Sequence, residues 1–218
     1  MAKSYLERKE AWALRMKERG LGAVVPRSDA RLPPGQHEVK HLPVLDLGEH
    51  PRVGSDRWRL ELSGHVEQPT ALTWEALQQL PRRTVKADFH CVTTWSHFDC
   101  TWEGVALETL IDLARPHGDA LYVHFTGYDG YTTNTDLEPL LAEDALLATH
   151  FNGQPLTLEH GAPARIIVPR LYAWKGAKFV RSMEFLNEER LGYWERRGYS
   201  NSADPWTNDR FAHTDAFY

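Results

Sequence analysis

Apolar and polar residues alternate along this chain in short stretches, and no single period is sustained. Residues 58–63 alternate with a period of two, which predicts a half-buried strand. Apolar runs predict further strands at residues 84–89, 121–125, 165–169 and 179–186. The capping residue Thr73 and the stop at Pro81 predict a short helix at residues 73–77, and Pro116 closes a second at residues 107–114. Residues 137–142 are also expected to be helical. Short strands and short helices, with much irregular structure between them, indicate an α+β fold.

Residues 1–57 contain two successive segments with different predicted structures. Ser4 and Glu7 form a capping-box pattern, and helix-forming residues continue from there to Gly20, so residues 1–22 are expected to be an appended helix. Residues 23–57 contain five prolines and predict an extended segment that runs over the surface. Residues 23–218 are therefore expected to form a single domain.

Composition excludes some classes of partner. The net charge is −5 and no segment is strongly basic, so nucleic acid is not expected as a partner. No apolar run approaches the roughly 18 residues of a membrane span, so no membrane segment is predicted. The N-terminal residues lack the apolar core of a signal peptide, and only two cysteines occur, which together predict a cytoplasmic protein.

Cys91 follows the predicted strand at residues 84–89 and precedes small polar residues. A thiolate in this place suits a soft metal, although a buried cysteine also serves as a small apolar residue. His90, His97 and Cys100 lie nearby and raise a structural zinc site as an alternative. Adjacent strand residues point to opposite faces, which disfavours His90 and Cys91 as ligands of one zinc ion.

A second group of candidate residues lies between His160 and Lys178. Arg165 offers a planar fork suited to phosphate, and Lys178 adds a second cation. Gly161 and Gly176 allow the backbone to approach a ligand closely. A phosphate-binding cradle and an ordinary surface loop both fit this pattern.

Three motifs together carry a family resemblance: residues 90–95, residues 161–165 and residues 175–178. In residue types, order and spacing they resemble the molybdopterin-binding domain of the sulfite oxidase family. The similarity is greatest to the short bacterial sulfite-oxidase-like branch, and next to the catalytic subunit of methionine sulfoxide reductase. It extends over about residues 36–200. It implies the sulfite oxidase molybdopterin-binding fold and one molybdopterin per chain, with Cys91 as the protein ligand to molybdenum.

The resemblance also implies roles for other residues. Tyr199 matches an active-site tyrosine whose phenol donates a hydrogen bond to the metal-bound oxygen; a core or surface aromatic is the alternative. The positions that match cofactor contacts are Lys40, His41, Thr126, His160, Arg165, Gly176, Ala177 and Lys178. Cys100 has no counterpart in the motifs and is expected to be structural.

One departure bears on the substrate. Sulfite oxidases carry an arginine shortly after the cysteine, whereas no arginine occurs here between Arg83 and Arg115. Sulfite is therefore a doubtful substrate. The expected function is oxygen-atom transfer on a small molecule, with S- or N-oxide reduction as one possible direction, and with a separate electron-transfer protein as partner. The alternatives are a non-catalytic cofactor-binding or interaction module of the same fold, and a structural zinc protein.

Overall fold

The computed structural model describes residues 7, 11 and 31–212. The helix predicted for residues 1–22 lies outside the described residues, except for Glu7 and Ala11. In chain order the described strands are β1 His37–Glu38, β2 Arg59–Gly64, β3 Thr70–Thr73, β4 Arg82–His90, β5 Trp95–Ala106, β6 Tyr122–Gly127, β7 Thr132–Asp136, β8 Leu146–Phe151, β9 Gln154–Pro155, β10 Arg165–Ile167 and β11 Val180–Leu186. The described helices are α1 Trp74–Gln78 and α2 Leu107–Ala114, with short 3₁₀ helices at Glu138–Leu141, Leu158–His160, Ala173–Lys175 and Glu195–Arg197.

Strand β5 is the centre of the first sheet. Strand β4 pairs antiparallel with it along one edge. On the other edge, β8 pairs antiparallel with the end of β5, and β1 pairs in parallel with its beginning. Strands β9 and β10 extend this sheet from β8. The second sheet has the order β3-β2-β11-β6-β7, in which β11 runs parallel to β2 and antiparallel to β6.

Alternation along the strands of the first sheet separates two hydrophobic cores. Leu147 and Ile166 belong to the core that joins the two sheets, together with Phe125 of β6 and Met183 of β11. Their chain neighbours Leu146 and Ile167 belong to the second core, on the other face of the first sheet, where they pack with Trp102, Tyr172 and Tyr199. Arg165 is adjacent to Ile166 and so points toward the second core.

The structure confirms the α+β class and the predicted strands and helices, with two kinds of difference. Residues 137–142 contain a 3₁₀ helix, Glu138–Leu141, rather than an α-helix. Six strands, β1, β3, β5, β7, β8 and β9, were not predicted from the sequence. Polar residues interrupt the apolar alternation of β5, and β7 is polar throughout although its central residues are buried. None of the helices within residues 31–212 is long and apolar enough to cross a membrane.

Candidate active site

A cavity of about 360 Å³ lies beside the loop that joins β4 to β5. Its walls come from this loop, from residues 42–47, from the 3₁₀ helix Ala173–Lys175 and from the segment after β11. Apolar and aromatic side chains predominate, with a few charged groups among them, as is common for small-molecule sites. The apolar and aromatic members are Leu42, Pro43, Leu45, Leu47, Phe89, Val92, Trp95, Tyr131, Trp174, Trp194 and Tyr199.

Cys91 is held on the wall of this cavity by a tight turn. The backbone N–H of Cys91 donates to the carbonyl of Trp95 at 2.9 Å, and the N–H of Thr94 donates to the carbonyl of Cys91 at 3.1 Å. Thr94 takes a left-handed conformation, with φ 77°, to close the turn. The Cys91 side chain is only 5% exposed, and its Sγ lies 3.1 Å from Oγ1 of Thr93.

Arg165 brings a buried positive charge to the same cavity. Its side chain is 4% exposed, and its guanidinium carbon lies 5.4 Å from the ring centroid of Phe89 and 5.5 Å from that of Trp102. One nitrogen, Nη1, donates to the carbonyl of His160 at 3.1 Å, whereas Nε has no hydrogen-bond partner. Burial lowers the pKa of Arg165 to about 10, so the group remains charged at neutral pH. A buried guanidinium with an unpartnered N–H is suited to receiving an anion.

Lys178 and Asp46 form an ion pair elsewhere on the cavity wall. Nζ of Lys178 donates to the carbonyl of Glu159 at 2.6 Å and lies 3.4 Å from Oδ2 of Asp46. Burial of Asp46 is outweighed by hydrogen bonds from His50 and Gly48 and by the charge of Lys178, so the pKa of Asp46 lies below its ordinary value. This contact ties residues 42–47 to the segment before β11.

Tyr199 lies within a cluster of aromatic side chains on the cavity wall. Its ring stacks on Trp194 at 5.0 Å and 19°, and it meets Trp174 and Phe211 edge-on at 5.0 and 5.4 Å. Burial raises the pKa of Tyr199 above its ordinary value, so the phenol stays protonated and able to donate a hydrogen bond.

A buried ion pair supports the aromatic wall from behind. Nζ of Lys175 lies 2.8 Å from Oε1 of Glu195, and the same oxygen accepts a hydrogen bond from Nε1 of Trp174 at 3.0 Å. The hydroxyl of Tyr131 donates to the carbonyl of Trp174 at 2.5 Å. Lys175 thus faces the protein interior, where it holds Trp174 in place, rather than the cavity.

The structure brings together five of the residues predicted for the site: Cys91, Arg165, Gly176, Lys178 and Tyr199 all line the cavity.

The other predicted residues lie outside the cavity lining. Lys40 and His41 are exposed just before Leu42 and Pro43, Thr126 lies in β6, and Ala177 is buried in the core between the sheets. Nε2 of His160 lies 3.2 Å from the carbonyl of Leu42. His160 therefore anchors the segment that covers the cavity. The cofactor contacts predicted for these residues stay predictions.

Packing within the protein accounts for the two glycines of the predicted cradle. A Cβ on Gly176 would lie 2.4 Å from the carbonyl oxygen of Ile166. Gly161 has φ +102°, and a Cβ there would lie 3.0 Å from the Lys178 side chain. Packing within the protein therefore requires glycine at both positions, whether or not a ligand binds there.

The side chains considered for zinc do not converge. Nδ1 of His90 pairs with Oγ of Ser96 at 2.8 Å, and Nδ1 of His97 lies 3.1 Å from Sγ of Cys100. Within the described part of the chain, no group of three or more His, Cys, Asp or Glu residues is arranged to hold a metal ion. These contacts disfavour the zinc alternative.

Several residues at the site were not found from the sequence. Nε2 of Gln36 donates to the carbonyl of Cys91 at 3.0 Å, and Arg210 donates to the carbonyl of Val92. Asp46 and Asp129 also line the cavity, and burial raises the pKa of Asp129. Gln36 and Arg210 lie far from Cys91 in the chain and in no motif, so the sequence offered no signal for them.

Comparison with known proteins identifies the family of this chain. A sequence model described as "Oxidoreductase molybdopterin binding domain" matches residues 47–194, well over half of the chain. The chain belongs to this family. It is thus an oxidoreductase domain that binds molybdopterin, and the resemblance to the sulfite oxidase family is confirmed.

Individual relatives agree with this assignment. The chain is 42% identical to the uncharacterized oxidoreductase YuiH of Bacillus subtilis (strain 168) over 182 residues, which cover 83% of this chain and 92% of the relative. It is 30% identical to the protein-methionine-sulfoxide reductase catalytic subunit MsrP of Campylobacter jejuni, over 65% of this chain and 53% of that protein. The chain thus matches only about half the length of MsrP.

A solved structure shares the fold. The sulfane dehydrogenase SoxCD from Paracoccus pantotrophus superposes with a TM-score of 0.60 and 24% sequence identity, over 68% of this chain and 42% of that chain. The sulfite oxidase-like fold predicted from the motifs is therefore confirmed.

Proposed function

We propose that this molybdopterin-binding domain holds molybdenum through the thiolate of Cys91 and transfers an oxygen atom between the metal and a small-molecule substrate. One observation carries this proposal: Cys91 lines the same cavity as Arg165, a buried guanidinium whose Nε has no partner. A soft thiolate and an unpaired cation within one cavity match a cofactor that joins a soft metal to a phosphate group.

Arg165 is the residue best suited to the phosphate of the cofactor. Its guanidinium is charged and buried, and no carboxylate among the described residues neutralises it. Lys178 is a weaker candidate because Asp46 already pairs with it. Arg165 is therefore expected to contribute more to cofactor retention than Lys178.

When bound, the cofactor supplies the two-electron oxygen-atom chemistry, and the protein supplies orientation and electrostatics. Trp95, Trp174 and Trp194 line the cavity, and their rings would limit the water around a bound substrate. Tyr199, fixed by stacking on Trp194, presents a protonated phenol that would donate a hydrogen bond to a substrate oxygen.

The cavity favours a neutral substrate such as an S- or N-oxide. Its lining near Cys91 is apolar and aromatic, and the loop 91–95 carries no cation that would bind sulfite. Reduction of such an oxide takes two electrons and two protons and releases water. The relative named protein-methionine-sulfoxide reductase supports this direction. The electrons would come from a separate electron-transfer protein.

A cytoplasmic location remains part of the proposal. Both cysteines of the chain are buried and neither forms a disulfide, as expected in a reducing compartment.

The test is metal and cofactor analysis of protein made in a host that synthesises molybdopterin. Wild type is expected to carry one molybdenum per chain, and Cys91→Ser is expected to lose the metal or its wild-type EPR signal. Cys100→Ala, which removes the other buried cysteine, is the matched control and should retain both. Turnover is then measured with an artificial electron donor and a panel of sulfoxides and N-oxides, and in the opposite direction with sulfite.

Two outcomes would count against the proposal. Stoichiometric molybdenum with a wild-type EPR signal in Cys91→Ser would exclude Cys91 as the ligand. Bound molybdenum without turnover of any substrate in either direction would favour a non-catalytic cofactor-binding module.

A further inference from the structure

Arg210 joins the C-terminal segment to the loop that carries Cys91. The side chain is 3% exposed, and its guanidinium makes three hydrogen bonds to separate parts of the chain. Nη1 donates to the carbonyl of Val92, Nη2 to the carbonyl of Pro34 at 3.1 Å, and Nε to Oδ1 of Asn208 at 2.6 Å. Val92 directly follows Cys91, so Arg210 fixes the backbone next to the thiol.

The charge of Arg210 is not neutralised by a carboxylate. The three hydrogen bonds described above go to two carbonyl oxygens and an amide oxygen, and within residues 31–212 no carboxylate forms an ion pair with Arg210. Burial lowers the pKa of Arg210, while Tyr172, Cys91 and Tyr199 favour its charged form. A buried guanidinium is costly unless an anion lies nearby, and a metal-bound thiolate at Cys91 would supply one.

Arg210 acts through the loop rather than on the contents of the cavity, because it is not among the residues that line the cavity. The loop is held from two sides: Gln36 donates to the carbonyl of Cys91, and Arg210 donates to the carbonyl of Val92. Asn208 holds the guanidinium in turn through Nε, and the hydroxyl of Tyr172 donates to the same Asn208 oxygen at 3.4 Å.

We propose that Arg210 is a positioning residue for the metal centre: it fixes the direction of the Cys91 side chain, and it places near the metal thiolate a positive charge that has no carboxylate partner within residues 31–212. This rests on the proposed role of Cys91 as the metal ligand. It goes beyond the family assignment, because Arg210 lies outside the matched residues 47–194. The C-terminal segment thus supplies a cation that the Cys91 loop itself lacks.

A fixed positive charge raises the reduction potential of a nearby metal. Reduction adds negative charge to the centre, and a buried cation stabilises the more negative state because screening is weak there. Removal of the charge should therefore lower the reduction potential. Lysine keeps the charge but not the planar fork that makes several bonds at fixed angles.

The experiment compares Arg210→Gln and Arg210→Lys with Arg181→Gln, an exposed arginine of β11, in the cofactor-loaded protein. For each variant the molybdenum content, the thermal unfolding midpoint, the EPR signal and the midpoint potential from an EPR-monitored redox titration are measured. Arg210→Gln is expected to shift the potential to a more negative value and to change the EPR signal. Arg210→Lys should keep a potential near wild type with an altered signal, and Arg181→Gln should match wild type in both.

A role limited to stability would lower the unfolding midpoint without moving the potential. A wild-type potential and signal in molybdenum-loaded Arg210→Gln would therefore overturn the proposal. If Arg210→Gln does not fold, Asn208→Ala is measured instead, since it removes the hydrogen bond that orients the guanidinium through Nε and keeps the charge: an altered EPR signal supports positioning, and an unchanged signal overturns it. Failure of the proposed function is distinguishable, because wild type would then lack molybdenum or Cys91→Ser would retain its signal.

Discussion

The Nζ atom of Lys175 lies 2.8 Å from Oε1 of Glu195, and neither side chain has any exposed surface. The same carboxylate oxygen accepts hydrogen bonds from Thr133 and Trp174, so the ion pair links β7 to the aromatic wall of the cavity. Burial lowers the pKa of Lys175, and the charge of Glu195 opposes that effect. The pair therefore couples the stability of the fold to the shape of the site.

Lys175→Met is expected to lower the free energy of unfolding by about 3–5 kcal/mol, because Glu195 would be left buried without its cation. Chemical denaturation measures this change. Lys86→Met, which removes a lysine from an exposed pair with Asp99, is the matched control and should change stability by less than about 1 kcal/mol. An equal effect of the two variants would contradict the role assigned to Lys175.

Arg165→Met should separate cofactor binding from stability. We expect the cofactor-free variant to be as stable as wild type or more stable, because a buried charge with an unpartnered nitrogen is replaced by an apolar side chain. Molybdenum and pterin content should fall strongly in the same variant. Metal analysis and pterin fluorescence, together with thermal unfolding, measure both effects. A variant that loses stability yet keeps its cofactor would show Arg165 to be structural.

Gly104→Ala should destabilise the contact between β5 and β8. A Cβ at this position would lie 2.0 Å from the carbonyl oxygen of Leu147, so one of the two strands must move. We expect a loss of about 3 kcal/mol or more in denaturation experiments. Gly118→Ala is the control, since a Cβ there meets no atom within 4 Å, and its stability should match wild type.

The protein is expected to lose folding stability in mild acid because of His124. Burial lowers its pKa from 6.5 to about 4 in the folded protein, and the charge of Arg190 adds to this. Between these two pH values the unfolded chain binds more protons than the folded chain, so stability is complete above pH 6.5 and falls as the pH drops toward 4. His124→Phe should lose less stability than wild type over this range, as measured by thermal unfolding. His37→Gln, at an exposed position, should follow wild type.

Tyr199→Phe removes a hydroxyl and keeps the aromatic stacking on Trp194 and Trp174. We expect molybdenum content and unfolding temperature to match wild type, while turnover of an oxide substrate falls by about 10²-fold because a hydrogen-bond donor is lost. Steady-state kinetics with an artificial donor measures this change. Undiminished turnover would assign Tyr199 to packing alone.

The sequence predicted the parts of the site that are local in the chain. The motif around Cys91 and the stretch from Arg165 to Lys178 each lie within a few residues of a strand that the sequence predicted, β4 and β10. Strand β5 was missed because polar residues such as His97 and Asp99 interrupt its alternation. Asp99, for example, faces solvent and forms ion pairs with Arg31 and Lys86.

Residues that reach the site from a distance could not be predicted in this way. Arg210 contacts Val92 across 118 positions, and Asp46 contacts Lys178 across 132. Neither Arg210 nor Asp46 belongs to a recognisable motif. Each of these contacts forms only when both sheets are in place. Lys175 was grouped with the cofactor loop because it precedes Gly176, whereas the 3₁₀ helix Ala173–Lys175 directs it into the interior.

The contact between Arg210 and Pro34 spans 176 positions, so it can form only after the whole of the intervening chain has been synthesised. Both sheets can form on the ribosome before Arg210 is available to hydrogen-bond to the Cys91 loop. The loop can reach its final geometry only after residue 210 has left the exit tunnel. Loading of the metal is therefore expected to follow the emergence of residue 210 rather than that of the Cys91 loop.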